Sequence, residues 1–145
     1  MIRKLNISDK EDFIELVELF FEERISTEGF IFDREKAIED FDRFINVPTV
    51  YGFVSEDDSG KVTGVIVFTI SNMLFSSDLL TQELVWYVRK ENRGDGIKLL
   101  KKMEDISAEL GIKFIMVQGM YGDRANIIYL RYGFKPLQSS YLKRR

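Results

Sequence analysis

Arg93-Gly94-Asp95-Gly96 stands where a β-rich apolar run, Leu84 to Val88, gives way to a helical pattern of Leu99, Leu100, Met103, Ile106 and Leu110. A strand, a glycine loop and a helix together make a geometry for holding an anion. The first amides of a helix lack intrahelical partners and point out of its positive end, and two glycines let the backbone approach a phosphate without Cβ interference. From Arg89 to Lys102 six basic residues face two acidic ones, so local charge favours the same ligand. The chain has no histidine and no cysteine, which excludes thiolate nucleophiles, disulfides and the commonest metal ligands and general base. Acid–base chemistry must then use carboxylates, tyrosine, lysine or water. Glu83, inside the apolar strand that leads to the loop, is such a carboxylate: it lies at a solvated strand end or is held there for a reason.

Two familiar glycine motifs do not fit. A phosphate-binding loop of the Walker type needs Lys-Ser or Lys-Thr after its last glycine, but Gly96 is followed by Ile97-Lys98, and a dinucleotide fingerprint needs three glycines early in a βαβ unit.

The elements that must position these residues can be read in order. Ile2 to Asn6 makes a first strand. Ser8 and Glu11 have capping-box spacing, and Phe13, Leu16, Val17 and Phe20 predict a helix over about Asp9 to Glu23. A second helix is expected from near Asp33, with Ala37, Ile38, Phe41, Phe44 and Ile45 inward, ending before Pro48. Thr49 to Ser55 and Lys61 to Ile70 read as a hairpin around Glu56–Gly60, and Ser71 to Asp78 as a loop. Leu80 to Val88 is the fourth strand; alternation places Glu83, Val85 and Tyr87 on one face and Leu84, Trp86 and Val88 on the other. The third helix stops at Gly111, Ile112 to Gln118 reads as a short buried strand, Asp123 can cap a helix from Arg124 to Tyr132, and Phe134 to Leu142 reads as a last strand or strand pair. From Lys10 to Arg43 there are twelve acidic and five basic residues. This charge is either the solvated side of two amphipathic helices or, if the pair borders a substrate entrance, a lure for a cation.

Val88-Arg89-Lys90-Glu91-Asn92-Arg93-Gly94-Asp95-Gly96-Ile97-Lys98-Leu99-Leu100 resembles the acyl-CoA loop of the GNAT N-acetyltransferase superfamily, V-x-P-E-x-R-G-x-G-[IV]-[GA]-x-x-L. Lys90 replaces its proline and Lys98 its small residue. Ala125, Tyr129, Gly133 and Phe134 fall in register with a second motif, N-x-x-A-x-x-L-Y-x-K-x-G-F, with Gly122 in place of the asparagine. The two motifs and the order β-α-α-β-β-β-α-β-α-β span essentially the whole chain.

The resemblance implies one GNAT domain over residues 1–145, an α+β fold with a mixed, mostly antiparallel central sheet flanked by about four helices. It implies acetyl-CoA as acyl donor, with no metal, lying between the strands Leu80–Val88 and Ile112–Gln118. Backbone amides of Arg93, Gly94, Asp95, Gly96, Ile97 and Lys98 would meet the pyrophosphate, and a charged side chain at Gly96 would block it. Tyr87 and Val88 would pair with the pantetheine arm, and Asn126 would replace the missing asparagine. Glu83 is the implied base, or else an ordinary strand-end glutamate; Tyr129 is the implied acid, or else a core aromatic.

The expected activity is acetyl transfer to a primary amine of a small molecule or protein, cationic acceptors included. The alternative is a catalytically inactive GNAT-fold protein serving as a protein-interaction or CoA-binding module. No apolar run approaches the ~20 residues that span a bilayer, and a cytoplasmic protein without membrane partners is expected. The formal charge of −3 argues against nucleic acid; a homodimer is compatible with the sequence.

Overall fold

The computed structural model describes residues 1–120 and 122–145. Nine main elements follow one another: β1 (Ile2–Lys4), α1 (Lys10–Arg24), α2 (Arg34–Asn46), β2 (Val50–Glu56), β3 (Val62–Asn72), β4 (Leu79–Val88), α3 (Asp95–Glu109), β5 (Phe114–Met116) and α4 (Ala125–Arg131). The sheet order is β1-β2-β3-β4-β5. The first four strands pair antiparallel and β5 runs parallel to β4, as a strand returned by a helical crossover must.

Each face of the sheet has its own apolar set because alternate strand residues point to opposite sides. Val65, Val67, Val85 and Tyr87 pack with Phe13, Ile14, Leu16 and Phe41 of α1 and α2. Ile66, Phe68 and Val88 pack with Leu99 and Met103 of α3, with Trp86 joining them. The Thr81 and Ser107 hydroxyls, 2.8 Å apart and buried, tie β4 to α3. Ser107 gives its single proton to the Met103 carbonyl at 2.8 Å, so Thr81 is the donor in that pair.

Local signals set the element ends. Asp33 caps α2 by accepting from the Lys36 amide at 3.1 Å. Gly111 and Gly133 close α3 and α4 at φ +70° and +86°, a region open to glycine at little cost. The capping box lies earlier than its sequence spacing predicts. Asn6 accepts from the Ser8 amide and Asp9 from the Asn6 amide, giving a short 3₁₀ turn before α1. Arg3 holds the Asp9 carboxylate through two bonds of 2.8 Å, so Asp9 is the better box member than Glu11.

Two strand expectations change. The predicted strand Ile112–Gln118 shrinks to three residues, and Phe114 is exposed. The segment from Phe134 to Leu142 forms no strand: Pro136 offers no amide, and Leu137, Tyr141 and Leu142 all remain exposed. Burying so little apolar surface, that segment cannot offset the entropy of being ordered into the sheet, and the outer edge of β5 has no cover from it. No described helix is long and apolar enough to cross a membrane.

Candidate functional site

β4 and β5 pair only through Leu80–Phe114, Thr81–Ile115 and Gln82–Met116. Beyond Gln82 no described β5 residue pairs with β4, which leaves a gap in the pairing along the edge of β4 from Leu84 to Val88. At the apex, Glu83 Oε2 accepts from the Gln118 amide at 2.9 Å. The Gln118 carbonyl accepts from the Tyr129 hydroxyl at 3.1 Å. One residue of the β5–α4 connection therefore holds both candidate catalytic side chains, the first from a strand and the second from the far helix.

Glu83 reaches this position through a β-bulge. Val67 pairs with Val85 but Phe68 pairs with Glu83, so Leu84 is the extra residue on β4. An inserted residue reverses the side-chain parity beyond it. Glu83 thus leaves the face of Val85 and Tyr87, where strict alternation puts it, and joins that of Phe68, Trp86 and Tyr129. This is a correction to the sequence reading, and it comes from long-range pairing.

Glu83 is 6 % exposed. Burial pushes its carboxyl from 4.5 up to about 7, opposed by the Gln118 amide. Burial raises the Tyr129 phenol as well, and the Glu83 charge raises it further. Tyr129 is clamped between Trp86 and Phe134, with ring centroids 5.5 and 5.7 Å away. The site therefore holds a carboxyl that changes charge near neutrality beside a phenol that stays protonated.

At the other end of the gap, no side chain caps α3, and of its first amides that of Gly96 donates to the Arg93 carbonyl at 3.1 Å. Gly94 is exposed, and a Cβ there would meet nothing within 4 Å. Gly96 is the opposite case: its Cβ would lie 3.3 Å from the Trp86 ring and 3.5 Å from Val88, and its carbonyl accepts from the Trp86 indole at 3.1 Å. Gly96 serves close packing of α3 on β4, so a charged side chain there would strike the core. Gly94 is the position from which such a group would enter the open mouth. Ile97 is half-buried beside it.

The predicted charged contacts are already engaged. The Arg93 guanidinium bonds both oxygens of Glu23 on α1 at 2.9 Å and lies 5.3 Å over the Tyr87 ring. Asp95 accepts from Thr63 at 3.2 Å and pairs with Lys98 at 3.3 Å, which pins the start of α3 to β3. Tyr87 faces α1, edge-on to Phe20 at 6.1 Å, and Val88 is buried under α3; along the gap both offer backbone only. Asn126 donates to the Met120 carbonyl at 2.9 Å and fills the space a Cβ on Gly119 would need, so it staples the β5–α4 connection.

Three participants escape sequence reading. Gln118 acts through its peptide groups and so carries no side-chain signal. Trp86, the one tryptophan of the chain, is findable by its indole donor, which needs a partner when half-buried. Arg24 at the end of α1 pairs with Asp123 before α4, a link between distant segments that only the tertiary fold creates.

By sequence, no family model and no curated protein matches the chain. Solved structures match it over its whole length. A tetramutant of the BH1408 protein of Bacillus halodurans is 15 % identical, covered over 99 % of its chain, with a TM-score of 0.85. AAC(6')-Iy in complex with the bisubstrate analogue CoA-S-monomethyl-acetylneamine is 14 % identical over 97 % of its chain at 0.79. A GNAT family acetyltransferase of Staphylococcus aureus is 19 % identical over 98 % at 0.71. At these identities the likeness establishes architecture.

Proposed function

The chain has the GNAT fold, and we propose that it is an acetyl-CoA-dependent N-acetyltransferase acting on a primary amine. The observation that carries this reading is the convergence of Glu83 and Tyr129 on Gln118 at the apex where β4 and β5 part. The residues fit the donor: an unpaired β4 edge from Leu84 to Val88 suits the amide-bearing arm, and the uncapped start of α3 at Gly94 suits the pyrophosphate. When bound, acetyl-CoA supplies an acetyl thioester. The complex of the AAC(6')-Iy neighbour with a CoA bisubstrate analogue supports that choice of ligand.

The chain's own groups divide the proton work. An ammonium has no lone pair, so Glu83 first takes a proton from the acceptor, directly or through water, and the freed lone pair then forms the nitrogen–carbon bond as the carbon–sulfur bond breaks, the second nitrogen proton leaving to solvent or to the thiolate. A carboxyl near 7 is half ionised at neutral pH, which suits a base that must also release the proton. Tyr129 serves the departing sulfur by turning its one hydroxyl proton away from the Gln118 carbonyl, where it rests in the free protein. Because its phenol is raised, it acts as a neutral donor that stabilises developing charge more readily than as a full proton source.

A second reading, a CoA-binding or interaction module without activity, draws on one observation: Arg93 and Lys98, the cations nearest the loop, are both paired with carboxylates. Calorimetric titration with acetyl-CoA tests the shared premise. The native protein is expected to bind and Gly94→Glu is expected to bind at least tenfold more weakly. Release of free thiol with an amine present separates enzyme from module, and failure of the native protein to bind would remove the enzyme and the CoA-binding module and leave the interaction module alone.

A further inference from the structure

The structure offers a pocket that the proton machinery does not use. Between α1 and α2, on the sheet face opposite Glu83, lies a pocket of about 260 Å³ walled by Val17, Phe20, Phe21, Phe32 and Phe44 and reaching Val85 on β4. Phe21 and Phe32 meet edge-on with centroids 5.8 Å apart, and Phe20 stands edge-on to Tyr87 at 6.1 Å, so the walls brace one another. Val85 follows the bulged Leu84 directly and belongs to the β4 segment that borders the gap. The polar residues of the pocket, Asp33, Lys36 and Asp40, come from the start of α2. Two of them are mutually paired, since Lys36 and Asp40 form a salt bridge, while Asp33 caps the helix.

From this geometry we infer that the acceptor is a hydrophobic primary amine, an aromatic or branched aliphatic group on a short amine-bearing linker, with its apolar end in the pocket and its amine directed to the β4 bulge, so that its proton passes to Glu83 through water. The assignment rests on the acetyltransferase reading and narrows its substrate. At about 30 Å³ per water, the volume of about 260 Å³ holds roughly the content of eight or nine waters, room for one ring and a linker. The side chains of Val17, Phe20, Phe21, Phe32 and Phe44 cannot hydrogen-bond, and Asp33, Lys36 and Asp40 stand only at the α2 side of the pocket, so a polyamine or polyol would surrender much of its hydration without replacement. Charge completes the fit: the segment from Lys10 to Arg43 carries twelve acidic against five basic residues, which draws an ammonium toward an otherwise apolar cleft.

The test uses the full chain with acetyl-CoA and three probes: 2-phenylethylamine, spermidine and kanamycin. Expected is a kcat/KM for 2-phenylethylamine at least about tenfold above the other two, within the discrimination that apolar pockets achieve. Val17→Trp, which fills the pocket, is expected to raise KM for 2-phenylethylamine at least tenfold while calorimetric acetyl-CoA affinity is unchanged. Phe32→Ala, which removes a wall without adding bulk, is expected to act in the same direction. Saturation-transfer NMR of 2-phenylethylamine on the native protein and Val17→Trp reads the pocket without turnover. If acetyl-CoA binds and spermidine or kanamycin is the better acceptor, unaffected by Val17→Trp, the pocket assignment is overturned and the acetyltransferase reading stands. If 2-phenylethylamine binds in a Val17-dependent way but acetyl-CoA does not bind, the pocket stands as a ligand site, and both the acetyltransferase reading and the acceptor role built on it are overturned.

Discussion

Replacing Glu83 by glutamine should make the protein more stable in alkaline solution while impairing its chemistry. Glutamine keeps the volume and an oxygen to accept from the Gln118 amide, but cannot ionise. In the wild type the buried carboxyl is raised from 4.5 to about 7. Between those two values the folded chain holds a proton that the unfolded chain has lost. Folding stability attributable to this group is therefore complete below about pH 4.5 and is lost as pH rises through 7. At about 1.4 kcal/mol per tenfold change in proton affinity, the full loss is roughly 3 kcal/mol, a large share of the ~5–15 kcal/mol typical of a domain. Urea unfolding of both proteins at pH 5, 6, 7, 8 and 9 measures it. In the difference between the two curves, depressed carboxylates such as Asp9, Glu15 and Glu23 cancel. The glutamine variant should match the wild type within about 1 kcal/mol at pH 5 and exceed it by roughly 2–3 kcal/mol at pH 9. A difference that stays constant with pH, or a wild type that gains on the variant as pH rises, would refute a raised Glu83 and remove the physical reason for choosing it as base.

The remaining predictions concern rate and packing. With saturating acetyl-CoA, kcat/KM for the amine should climb from pH 6 to pH 8 with a midpoint near 7, following ionisation of Glu83; Glu83→Gln should lose that limb. Tyr129→Phe should lower turnover by about ten- to a hundredfold with acetyl-CoA affinity unchanged by calorimetry, and should cost about 1 kcal/mol of stability because the Gln118 carbonyl loses its donor. Unchanged turnover would remove Tyr129 from the mechanism. Thermal melts of Gly94→Ala and Gly96→Ala should diverge, since only the second places a methyl 3.3 Å from the Trp86 ring. Gly96→Ala is expected to be less stable than Gly94→Ala by about 1–3 kcal/mol, and equal stability would contradict the tight seating of α3 on β4.

Most of the fold was legible because its signals are local. The helical spacing of Phe13, Leu16 and Phe20, the Asp33 cap, the stop at Gly111 and the turn between β2 and β3 each depend on a few neighbouring residues, and each lies where it was expected. The C-terminal segment was misread for the complementary reason. Phe134 to Leu142 was read as a strand or strand pair interrupted by Pro136, but a strand exists only if a partner edge and a buried face receive it, and neither is encoded within those nine residues.

For the site, the sequence by itself determined the ingredients: a chain without histidine or cysteine, a glycine-rich entry to α3, a glutamate within an apolar strand, and a tyrosine on the last helix. Only the tertiary structure decided how they meet. The pairing of β3 with β4 inserts Leu84 as a bulge, turns Glu83 through the sheet and brings it to Gln118 opposite Tyr129. The same packing gives Arg93 to Glu23 and seats Gly96 on Trp86. Register between strands is a property of two distant segments at once, and a shift of one residue exchanges the faces of everything beyond it; no reading of β4 alone can contain that information.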